Sequence, residues 1–108
     1  MTEKTRVLFR AERSGPFKGD VTAVFCDEPA DYEGRSMSCY SHVGQHSACD
    51  MSWYVKTRAA LPSEYEALKH ELGSYGPPDA HYVLEIRQRM PADARARRQA
   101  ALRERADA

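Results

Sequence analysis

At 108 residues the chain has room for one domain built on one modest hydrophobic core. Its 16 basic and 16 acidic side chains cancel, so no global field draws it toward nucleic acid or a membrane surface. Apolar residues recur in short regular clusters, which separates it from a disordered chain, and no apolar run reaches the length of a membrane span.

Arg6 to Glu12 alternates, with Val7, Phe9 and Ala11 on one face and Arg6, Arg10 and Glu12 on the other, the pattern of a half-buried strand. Ser14-Gly15-Pro16 and Lys18-Gly19-Asp20 mark a loop. Val21 to Cys26 is a second β-rich run that pairs with the first as a hairpin. Asp27 to Arg35, with Pro29 and Gly34, reads as an acidic surface loop. Met37 to Val43 and Cys49 to Arg58 follow as a second strand pair around Gly44. In the latter run Cys49, Met51, Trp53, Val55 and Thr57 share a face, which places Trp53 in the core.

Pro62 to Leu72 reads as a helix. Ser63 and Glu66 have the spacing of a capping box, and Leu61, Tyr65, Leu68 and Leu72 form one apolar stripe. Gly73 is a stop signal, Tyr75-Gly76-Pro77-Pro78 a turn, and His81 to Arg89 a last strand carrying Tyr82, Leu84 and Ile86 on one face. The expected order is ββββαβ. The fold class is α+β, a small, mostly antiparallel sheet with one helix on its apolar face, spanning residues 1–90. Tyr65, Leu68 and Leu72 are expected to pack against Trp53, Val55, Leu84 and Ile86.

Residues 91–108 form an Ala/Arg-rich tail with one large apolar residue, Leu102. The expectation is an exposed helix or a disordered segment that can be removed without unfolding the domain. The stretch from Asp20 to Glu33 is acidic and the stretch after Met90 basic, so the two either attract each other or lie solvated. Met1 to Arg6 is charged and unlike a secretory signal. Three cysteines without such a signal suit a reducing compartment, and the expected location is the cytoplasm.

One constellation carries chemistry. Cys39, His42, His46 and Cys49 lie within eleven positions as C-x2-H-x3-H-x2-C. Thiolate and imidazole are the ligands tetrahedral zinc prefers, and four of them close a structural site. The spacing differs from that of the common zinc fingers. A hairpin centred on Gly44 pairs Cys39 with Cys49 and His42 with His46, and side chains at positions 39 and 42 then point to opposite faces. Three readings follow: a loop holding one structural zinc, a reduced cysteine pair packed as small hydrophobes beside exposed histidines, or a cross-strand disulfide. A Cys-His pair can also make a nucleophile, but no third group stands ready to orient the base. His70 and His81 read as surface residues, and there is no glycine-rich phosphate loop. Tyr40 and Tyr54, near Lys56 and Arg58, could stack nucleobases, or could simply lie half exposed on the sheet.

The runs Val21-Thr22-Ala23-Val24-Phe25, Cys39 to Cys49, Trp53-Tyr54, Thr57-Arg58 and Pro62-Ser63-Glu64-Tyr65 resemble a group of short uncharacterised proteins of bacterial, phage and mobile-element genomes. The resemblance covers about residues 6 to 89, and its specific part is the string from Cys39 to Cys49. Similar sequences often have proline where Cys26 stands, which makes Cys26 an incidental thiol. The resemblance implies a setting more than an activity, that of a small host-interacting or regulatory protein. The leading expectation is therefore a non-enzymatic protein-interaction or regulatory module with a protein partner and no membrane role, for example a host-defence inhibitor. A zinc-stabilised nucleic-acid-binding regulator using Tyr40, Tyr54, Lys56, Arg58 and the basic tail is the alternative, and a small Cys/His enzyme the third.

Overall fold

A computed structural model describes residues 4–41, 46–74 and 83–107. The elements are β1 (Thr5–Glu12), β2 (Val21–Pro29), β3 (Met37–Tyr40), β4 (His46–Cys49), α1 (Met51–Tyr54), β5 (Thr57–Ala59), α2 (Pro62–Ser74), β6 (Leu84–Ile86) and α3 (Ala94–Asp107). The strands form one sheet in the order β4-β3-β2-β1-β5, with β6 also paired to β1. All pairings are antiparallel except that of β6 with β1. The fold is thus α+β, as the sequence pattern implies.

β1 and β2 form the expected hairpin, with Ala11 opposite Val21. Gly19, in the left-handed region at φ 90°, donates its N–H to the Glu12 carbonyl at 2.9 Å and lets the chain reverse. β2 runs on to Pro29, so the acidic stretch from Asp27 is strand before it is loop.

Both faces of the sheet are covered. On one, Val7, Phe9, Ala11, Ala23, Phe25 and Tyr40 pack against Tyr65, Leu68 and Leu72 of α2, and the Phe9 and Tyr65 rings stack at 4.4 Å. Leu84 and Ile86 join this cluster as expected. On the other, Leu8, Val24, Cys26, Met37, Cys39 and Cys49 meet Tyr54 and Ala94, with Trp53 half buried beside them. β1 is therefore not half buried: its second face is closed, and Arg6 and Arg10 lie within it.

The run from Cys49 to Arg58 departs most from expectation. It is not one strand. The Asp50 side chain accepts the Trp53 N–H at 3.0 Å and caps α1, turning the chain after β4. Trp53 and Tyr54 consequently serve the second face rather than the α2 face, and Val55 is exposed. The helix start differs too. Glu64, not Ser63 with Glu66, provides the cap, its carboxylate accepting the Leu61 N–H at 2.8 Å. Leu61 is exposed rather than part of the stripe, and α2 runs past Gly73 to Ser74. The turn at 75–78 and the start of the last strand at His81 and Tyr82 lie outside the described residues, and β6 itself is short.

The stretch after Pro91 is not an exposed tail. α3 packs on β2, with Ala94 and Arg98 buried. A near absence of apolar side chains does not prevent docking, because the contact is polar. Arg98 donates Nε to the Gly34 carbonyl at 2.8 Å and Nη1 to the Cys26 carbonyl at 2.7 Å. Gly34 adopts φ 72°, and a Cβ there would meet Gln99 and Leu102 of α3 at 3.3 and 3.5 Å. Arg97 reaches Asp27 at 3.6 Å, so the acidic and basic stretches do attract each other within the chain. Arg98→Ala leaves two buried carbonyls without their donor and is expected to cost on the order of 1–3 kcal/mol per orphaned group in chemical denaturation. Truncation at Pro91 is expected to lower the melting temperature further, and equal melting of the two lengths would show that α3 does not hold the second face.

Candidate functional site

The hairpin of β3 and β4 sets where the cysteines lie. Met37 opposes Cys49, Ser38 opposes Ala48, Cys39 opposes Ser47 and Tyr40 opposes His46. The register thus differs from the one centred on Gly44, and Cys39 and Cys49 are diagonal neighbours on one face rather than a facing pair. The Tyr40 and His46 rings meet edge-on at 4.8 Å, a cross-strand contact that favours this register.

The candidate zinc ligands are divided accordingly. Cys39 and Cys49 lie on the face closed by α1 and α3, His46 sits with Tyr40 on the opposite face, and His42 lies outside the described residues. Among the described residues no three His, Cys, Asp or Glu side chains are gathered as a metal would need. Four-ligand binding would require His46 to leave its place against Tyr40 and join the cysteines.

The aromatic and basic residues expected to stack nucleobases are not brought together either. Tyr40 is buried under the α2 face. Tyr54 is buried on the other face, with the Arg10 guanidinium 4.2 Å over its ring. Arg58 is engaged by Glu64 through two bonds of 2.7 Å, and Lys56 is exposed.

The sheet instead offers two clefts at one end, which meet at Glu12, Thr22 and Ser41. The larger, about 620 Å³, runs between the β1–β2 turn and α2. Glu12, Asp20, Glu64 and Glu71 line it, and Phe17 stands at the turn with 65% of its surface exposed. Of the acidic 20–33 stretch only Asp20 lines this cleft, and the other carboxylates come from β1 and α2. Glu12 accepts the Trp53 Nε1–H at 2.9 Å, which connects the cleft to the second face.

The smaller cleft, about 330 Å³, is lined by Cys39, Ser47, Cys49, Asp50 and Trp53. Ser47 Oγ lies 3.0 Å from Cys39 Sγ, and the Cys49 thiol is near enough to act on that sulfur electrostatically. These contacts hold the Cys39 thiol below its ordinary value, Cys49 first and Ser47 after it. Its proximity to Cys39 and its burial push the Cys49 thiol up. Cys26 stands apart, buried against the Arg6 carbonyl, and burial beside Asp27 pushes its thiol up to about 11.

Comparison with protein-family models, with curated proteins and with solved structures finds no match for this chain.

The electrostatics of the larger cleft are testable through Glu64. Its bonds to Arg58, and then to the Leu61 N–H, hold its carboxyl down to about 2. A carboxyl lowered by folding stabilises the fold fully above its unfolded value and loses that contribution as pH falls through the folded one. The melting temperature of the native protein should therefore exceed that of Glu64→Gln at neutral pH. The gap should shrink from the ordinary glutamate range down to about pH 2. A gap independent of pH would show that the pair does not couple to folding.

Proposed function

We propose that this chain is a non-enzymatic protein-interaction module, and that its contact surface is the acidic cleft between the β1–β2 turn and α2. The observation that carries the reading is Phe17, a large apolar side chain held out on a glycine-bounded turn beside the cleft carboxylates. An exposed aromatic anchor beside a carboxylate-lined cleft matches a partner that presents an apolar pocket next to basic side chains. Turn geometry supports it. Asp20 N–H donates to the Phe17 carbonyl at 2.9 Å and Lys18 N–H to the Gly15 carbonyl at 3.2 Å, so the anchor is held before any partner arrives. No helix among the described residues is long and apolar enough to cross a membrane. The resemblance to short phage and mobile-element proteins extends the proposal: the partner is then a host protein of the cytoplasm, of which a defence enzyme is one instance.

Photo-crosslinking in the native cell tests this. A crosslinking amino acid at position 17 should capture one protein with a basic surface. The same group at Arg103, on the exposed side of α3, should not. Charge reversal at Asp20 and Glu71 should abolish capture, and the isolated complex should weaken as salt rises. Identical adducts from both positions, or capture that survives charge reversal, would overturn the reading.

A further inference from the structure

We propose that Cys39 and Cys49 form a two-cysteine oxidation site, in which a hydroperoxide converts the thiol pair into an intramolecular disulfide that ties the edge strand β4 to β3. The two side chains share one face of adjacent antiparallel strands as diagonal neighbours, two positions apart in the ladder, and they lie near enough that each thiol shifts the other's acidity. Strand pairing therefore performs the step that two distant thiols lack, bringing the sulfurs together before reaction. Ser47 Oγ, at 3.0 Å, is a second polar neighbour of Cys39 Sγ, so Cys39 is the sulfur best placed to carry charge and attack. Both thiols line the smaller cleft, which opens beside Asp50 and Trp53 and has room for a peroxide.

The chemistry balances. The Cys39 thiolate attacks one peroxide oxygen, the O–O bond breaks, and Cys39 becomes a sulfenic acid. The departing oxygen takes a proton and leaves as water or an alcohol. Cys49 then gives up its proton and attacks the Cys39 sulfur. The S–S bond forms, the S–O bond breaks, and hydroxide leaves with that proton as water. Two electrons pass from the sulfur pair to the peroxide. The consequence is structural, because among the described residues β4 is an edge strand and the disulfide clamps it to β3, its ladder partner there.

Cys26 is the built-in control. It is fully buried, its Sγ contacts the Arg6 carbonyl at 3.9 Å, and it does not line the cleft. The test treats the full-length, folded protein with hydrogen peroxide and maps its cysteines by alkylation, proteolysis and mass spectrometry. The expected product is a monomer that has lost two hydrogens, with the Cys39 peptide joined to the Cys49 peptide and Cys26 still free. Dithiothreitol should reverse the change. Cys39 should react at least about tenfold faster than Cys26, because it lines the cleft and Cys26 does not. In Cys49→Ser, a Cys39 sulfenic acid should accumulate and be trapped by dimedone. The wild-type map decides the matter whether or not that variant folds. Loss of no hydrogens, a disulfide to Cys26 or between chains, or oxygen gained only at methionines would overturn the proposal. Stoichiometric zinc that shields both thiols from peroxide would overturn it equally.

Discussion

Three guanidinium groups under one face of the sheet set the terms for the rest of the molecule. Arg6 and Arg10 of β1 and Arg98 of α3 are each less than one-tenth exposed. A buried charge is tolerated only when counter-charges or hydrogen-bond acceptors satisfy its donors, since its desolvation costs several kcal/mol. Each has its partners. Arg6 binds Asp27 at 2.6 and 2.7 Å and Asp93 at 2.9 Å. Arg10 donates to Thr57 Oγ1 at 2.9 Å and to its carbonyl at 2.7 Å. Arg98 takes the carbonyls of Gly34 and Cys26. No buried side-chain nitrogen or oxygen among the described residues lacks a partner.

Those bonds explain the second layer. The face that carries Arg6 and Arg10 sets those charges beside an apolar cluster, and α3, which covers part of it, is poor in large apolar side chains. α1 and β5 are held by Arg10 through Thr57 and by the tryptophan bond to Glu12. α3 is held by Arg98 and by the cluster of Arg6, Asp27, Asp93 and Arg97. Hydrogen bonds to charged groups are directional, so they fix the placement of a helix that burial alone would leave free to slide. Burial holds the Arg10 and Arg98 guanidinium groups below their ordinary values, whereas the two aspartates, Asp27 first, raise Arg6.

The two clefts follow from the same arrangement. β1, β2 and β3 reach one end of the sheet together, and Glu12, Thr22 and Ser41 form the wall that both clefts share. α2 closes one side and α1 the other. A protein-binding surface on the α2 side and a thiol pair on the α1 side can thus share a wall while drawing on different elements. The bond from Trp53 to Glu12 is a side-chain contact that crosses between them.

Local periodicity was enough for the central hairpin, for α2 with its stripe of Tyr65, Leu68 and Leu72, and for the apolar positions of β6, because each pattern reports a face that must be buried wherever the chain goes. It failed at Asp50 to Tyr54, where strand-like alternation and a capped helical turn compete over a few residues and Asp50 decides for the turn. Residue types in the Cys39 to Cys49 string were legible as chemistry, but their grouping was not. Moving the register by one position on each strand turns a facing cysteine pair into a diagonal one, and cross-strand contacts such as Tyr40 with His46 and Cys39 with Ser47 distinguish the two. The acidic cleft was invisible because its carboxylates come from β1, the turn and α2. By itself, then, the sequence determined the α+β class and the α2 face of the core, both consequences of short-range hydrophobic pattern. Tertiary structure alone decided that the arginine-bearing face is closed, that α3 docks, and which thiols meet, because these depend on polar partners far apart in the chain whose pairing leaves no periodic trace.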